Sequence, residues 1–135
     1  MTRFTRIAFQ LIFILYLGTV LYLCFAHFGQ MPSAKWSLFG IPSDKVVHFC
    51  MFFPFPLLAF LAFDRYTGSL RSTLLFSGVT LLLGILLAVA TEWGQAHLTN
   101  YRSGDLMDLL ADITALVIST VLVIFLDTQK QKKNL

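Results

Sequence analysis

Leu74-Leu-Phe-Ser-Gly-Val-Thr-Leu-Leu-Leu-Gly-Ile-Leu-Leu-Ala-Val-Ala-Thr91 decides the fold: an uncharged run closed by Glu92-Trp93. As a helix rising about 1.5 Å per residue it nearly crosses a hydrocarbon core of about 30 Å. A helix on a soluble protein would carry a polar face, and this run is apolar all round for most of its length. Three more runs of the same kind, residues 7–28, 46–63 and 106–126, account for a hydrophobic content of 57% in 135 residues. The sequence therefore predicts an all-α membrane protein: four transmembrane helices in a bundle, one domain over residues 1–135.

The first run follows Arg3 and Arg6 as a signal peptide would. It is longer than the roughly 7–15 apolar residues of a signal core, and no small-x-small site follows it. Tyr22 and Leu23 are too bulky for a lipoprotein cleavage site before Cys24, so an uncleaved first span is expected. Cys24 and Cys50 lie within predicted spans and read as small buried hydrophobes. Neither belongs to a zinc or redox spacing. In residues 29–43, Gly29, Pro32, Gly40 and Pro42 break helix. Trp36, Leu38 and Phe39 suggest a segment lying at an interface.

Basic residues orient the chain. Arg3, Arg6, Arg65, Arg71, Lys130, Lys132 and Lys133 fall on one side of the expected membrane, and Lys35, Lys45 and Arg102 on the other. The positive-inside bias then places both termini in the cytoplasm. The same bias explains the net charge of +3 without a nucleic-acid partner. Trp36, Trp93 and Tyr101 on the outer side suit an aromatic belt against membrane lipids.

Five of the seven acidic residues gather on that outer side. Asp44-Lys45-x-x-His48 opens the second span, and its spacing lets the three share a helical face. Asp44 suits the positive end of the helix dipole and is a candidate cap after Pro42-Ser43. Lys45 can snorkel to the headgroups, whereas His48 lies about a turn inside the membrane with no such reason. Pro54 and Pro56 interrupt the same span and permit a kink. Glu92-x-x-Gln95 closes the third span on one face. Arg102-x-x-Asp105-x-x-Asp108-x-x-x-Asp112 opens the fourth in one stripe, with Ser103 a candidate cap. Asp112 lies about 10 Å along the axis from Asp105, so its carboxyl must be protonated, paired or facing water.

Ionisable groups at membrane depth cost about 2.5–3.5 kcal/mol each even on lenient scales, so the layer is expected to be a site. Five carboxylates meet only Lys45 and Arg102 as permanent cations; raised pKa values, a divalent cation or a cationic ligand group would relieve the surplus. Carboxylates with one histidine suit a hard or borderline ion, though the spacing is no dedicated metal motif. His48, Glu92, Arg102 and Asp108 are expected to converge.

Taken together, Asp44, Lys45, His48 and Phe49, then Glu92 and Gln95, then Arg102, Ser103, Asp105 and Asp108 resemble the VanZ-like family. These are membrane proteins associated with low-level teicoplanin resistance. The likeness covers residues 44–119. Phe52, Asp112 and Ala115 depart from it, standing where Tyr, Asn and Gly are usual. The resemblance implies a bacterial-type cell-envelope protein of the cytoplasmic membrane, linked to glycopeptide tolerance and antibiotic resistance.

Four functions compete. The first is binding of a polar lipid-linked or cell-wall precursor by Asp44, Lys45, His48, Glu92, Gln95, Arg102, Asp105, Asp108 and Asp112. There Lys45 and Arg102 would hold phosphate or carboxylate, and the acids hydroxyl or amine groups. The second is an intramembrane enzyme with His48, Glu92 or Asp108 as acid and base and Arg102 as electrostatic stabiliser. A structural or regulatory subunit is third. Last comes a coupled transporter, which would have to be an oligomer because four spans enclose little volume.

Overall fold

The computed structural model describes residues 2–26, 36–100 and 104–134, with Arg65 by its backbone alone. Side-chain caps mark where three of its helices begin. Thr2 Oγ1 accepts the Thr5 N–H at 3.2 Å and opens α1, Arg3–Phe25. Ser69 and Ser72 form a reciprocal capping box that opens α4, Leu70–Leu98. Asp105 accepts the Met107 N–H at 2.8 Å and opens α5, Leu106–Lys133. The cap of this last helix is thus Asp105; Ser103 lies outside the described residues.

The second predicted span consists of two short helices, α2 (Ser43–Phe52) and α3 (Pro54–Phe63), meeting at Phe53. Pro54 and Pro56 have no N–H to give the preceding turn, as the sequence anticipates. Tyr16 on α1 donates its hydroxyl to the Met51 carbonyl at 2.6 Å, supplying a side-chain partner at this break. Asp44 is not the cap of α2: Pro42 holds that position without a side-chain bond, and Asp44 sits in the first turn.

Every helix outruns the apolar stretch that predicted it, except that α1 ends at Phe25, before the expected residue 28. The apolar run measures lipid thickness, whereas the helix continues as long as its backbone bonds and caps allow. Four helices are long and apolar enough to cross a membrane: α1, the α2–α3 pair, α4 and α5. Large apolar side chains point outward along them, as with Leu15, Leu75 and Val121, while polar ones such as Thr73, Gln95, Asp112 and Asp127 are buried. This inside-out distribution suits a lipid surround.

The described segment just before α2 forms a small antiparallel hairpin. Ser37–Leu38 (β1) pairs with Ile41–Pro42 (β2). Its two turn residues, Phe39 and Gly40, both have positive φ, at 52° and 83°. Such a turn matches the twist of the paired strands. Gly40 takes that backbone freely; Phe39 takes it at some strain and stands almost wholly exposed.

Helices α4 and α5 share the most extensive interface and run antiparallel. One register links Thr73 to Asp127, Gly84 to Leu116, and Ala96 to Gly104. Small residues let the backbones close: a Cβ on Gly84 would stand 2.6 Å from Leu116 Cδ2. The register brings the C-terminal turns of α4 to the N-terminal turns of α5. It is completed on one side by α2, and α1 leans on α3 and α4. Arg6, Asp64 and Lys130 meet at the end holding both termini; Lys45, Asp105 and Asp108 meet at the other, beside the hairpin.

Candidate functional site

At the hairpin end, Lys45 projects from the first turn of α2 and is mostly buried, with its side chain 15% exposed. Its ammonium donates to three carboxylates, Asp44 at 2.9 Å, Asp105 at 2.5 Å and Asp108 at 2.6 Å. It does not snorkel away. One turn deeper, His48 presents Nδ1 to Asp112 Oδ1 at 3.1 Å and Nε2 towards Asp108 Oδ2 at 3.5 Å. Glu92 enters from α4: its Oε2 accepts the Asp105 N–H at 3.0 Å, and its Oε1 lies 3.8 Å from His48 Nδ1. The stripe at the start of α5 thus supplies one carboxylate per turn: Asp105 and Asp108 share the Lys45 ammonium, and Asp108 and Asp112 flank the His48 ring.

Burial increases along the stripe. The Asp105 side chain is 44% exposed, Asp108 15% and Asp112 0%. The Lys45 ammonium, helped by the Met107 N–H, holds the Asp105 carboxyl below its usual range. Glu92 Oε1 and Asp112 Oδ2 are buried without a hydrogen-bond partner among the described residues. Leaving such an atom unmet costs about 1–3 kcal/mol, and more if it is charged.

Lys45, His48, Glu92, Asp105, Asp108 and Asp112 come together, with Asp44 at the rim. Gln95 works elsewhere, donating to the Cys24 carbonyl at 2.9 Å and fastening the end of α1 to α4. It shares a helix face with Glu92, but that face spans two neighbours. Arg102 lies outside the described residues, so three of the four residues expected to converge are seen to do so. Among the described residues five carboxylates meet one lysine and one histidine, and the acid surplus read in the sequence persists even if His48 is protonated.

Sequence reading missed a groove beside this cluster. Leu38 and Ile41 of the hairpin, Val46 and Phe49 of α2, and Met107 and Leu110 of α5 line a hollow of about 740 Å³. Among the described residues Lys45 is the one charged residue in its lining. Phe49, Met107 and Leu110 look like lipid-facing residues in one dimension; only the position of the hairpin turns them into a wall.

The cluster can bind and orient a polar group, and His48 between two carboxylates can hold or pass a proton. No family model, curated protein or solved structure matches this chain.

Proposed function

We propose that this is an integral protein of the cytoplasmic membrane, VanZ-like, with both termini in the cytoplasm and the hairpin end facing outward. It binds the polar head of a lipid-linked or cell-wall-related molecule at the cluster and is linked to glycopeptide (teicoplanin) tolerance. The observation that supports this reading most is the joining of an apolar groove to a buried polar cluster through Lys45. A chain-bearing ligand needs both: a trough for hydrocarbon and, at its end, fixed donors and acceptors for a head group. A helix-locking ion-pair core would need no such trough. Orientation rests on the basic residues, seven of ten of which fall on the terminal side by sequence.

The assignment is tested by substitutions that change chemistry and keep shape. Glu92→Gln removes only a charge, and Arg102→Lys keeps the charge but loses the planar fork. Both are expected to abolish glycopeptide tolerance at near-normal protein level in the membrane. If every such variant either works normally or fails to accumulate, the cluster is a scaffold and the binding reading falls.

A further inference from the structure

The acidic cluster poses a problem for the ligand just proposed. A phosphate or carboxylate head would approach five carboxylates with Lys45 already shared among three of them. We propose that His48, Glu92 and Asp108 hold a divalent transition-metal ion, of the Zn²⁺ or Mn²⁺ class, and that Asp112 orients His48 for it. Each of the three offers a donor atom, and these lie within 4.8 Å of one another. Donors around one ion with bonds of about 2.1 Å stand about 3.4 Å apart in a tetrahedron, so the cluster closes on an ion by modest side-chain rotation.

Two further observations point into the same space. The Glu92 side chain is only 9% exposed, yet its Oε1 has no hydrogen-bond partner among the described residues and lies 3.8 Å from His48 Nδ1, at the edge of the ring. An ion would satisfy that oxygen, whose desolvation is otherwise uncompensated. Asp112, fully buried, contacts His48 through Nδ1. A carboxylate beside Nδ1 places the ring proton there and frees the Nε2 lone pair on the side of Asp108, the carboxylate–histidine–metal relay that fixes a ligand's tautomer. Lys45 takes Asp108 Oδ1 and leaves Oδ2, the oxygen nearer Nε2, for the ion.

One imidazole with two carboxylates suits borderline ions better than Mg²⁺ or Ca²⁺, which favour all-oxygen shells. Three protein ligands leave a coordination position for water or for an oxygen of an anionic head group. This deepens the binding reading by naming what makes an acidic layer receptive to an anion. It is tested with metal alone, so its failure leaves the tolerance result untouched.

Purified wild-type protein in detergent, stripped with chelator and reloaded with Mn²⁺, is expected to bind one ion per chain. Pulsed electron paramagnetic resonance should then show coupling to a single imidazole nitrogen. His48→Gln should remove the coupling. Glu92→Gln and Asp108→Asn should weaken binding at least tenfold, and Asp112→Asn about 10–100-fold with the coupling retained. Lys130→Gln, at the opposite end, should leave affinity unchanged. Wild-type protein that binds no stoichiometric ion, or binds one without nitrogen coupling, overturns the proposal. So does His48→Gln that keeps wild-type affinity.

Discussion

The two ends of this bundle treat charge in opposite ways. At the termini, Asp64 lies between Arg6 at 3.2 Å and Lys130 at 3.6 Å, so one acid has two bases. Nearby, Asp127 Oδ2 accepts from Thr73 at 2.5 Å and from Gln131 at 2.9 Å, while its Oδ1 is buried without a partner among the described residues. At the hairpin, among the described residues, one lysine serves three acids and one histidine faces three, two of which it does not share with Lys45. A matched end fixes helices at little electrostatic cost, whereas an acid-rich end destabilises the fold unless something else binds there. On the proposed reading, stability and binding are separated along the bundle axis, with the α4–α5 register holding the two apart.

The largest effect should come from exchanging charge at one end only. Glu92→Gln is expected to reduce glycopeptide tolerance to that of cells lacking the protein, while Asp64→Asn keeps it; equal loss in both would erase the contrast. Next in size is Lys45→Met, which strands three carboxylates and should cost about 3–5 kcal/mol in detergent unfolding. Arg6→Met, at a part-buried pair in which Lys130 still faces Asp64, should cost less, about 1–3 kcal/mol. Asp127→Ala deprives Thr73 and Gln131 of their shared acceptor, and a loss of about 1–3 kcal/mol in the same measurement is expected, with metal affinity intact. A variant that weakened metal binding from that distance would show the ends to be coupled.

The smallest effect concerns acid. Asp105 has its carboxyl pKa lowered by Lys45 in the folded protein. Its contribution is therefore present above the ordinary carboxylate value of about 4 and fades as pH falls below that. Melting temperatures of wild type and Asp105→Asn should differ slightly at pH 6 and converge towards pH 3. A gap that widened on acidification would reverse the assigned direction.

Much of this was legible in one dimension because lipid-crossing helices are written as uninterrupted apolar runs. The break at Phe53 followed from Pro54 and Pro56, and the stripe of Asp105, Asp108 and Asp112 from helical spacing. What failed to show was pairing between elements. Glu92 and Gln95 share a face yet serve different helices, since a helix face is wide enough to touch two neighbours. Asp127 carries no signal of its own in the sequence, because nothing local announces that Thr73, far away in sequence, stands opposite it. The hairpin escaped because its strands are two residues each and its turn puts Phe39 where glycine or asparagine is usual. Asp105 displaced Ser103 as the expected cap, since either residue type can serve and only backbone geometry chooses.

The break at Phe53 has a mechanical consequence. A continuous helix resists bending through its ladder of backbone bonds, and here Pro54 and Pro56 have removed two rungs at one level. Lys45 and His48 therefore ride on a ten-residue lever whose pivot is softer than either arm. The lower arm is clamped: Gln10 of α1 donates to the Ala62 carbonyl at 3.2 Å. Tilting of α2 about this pivot is opposed by the bonds of Lys45 and His48 to the carboxylates of α5, so the mouth of the hollow widens only where those bonds give way.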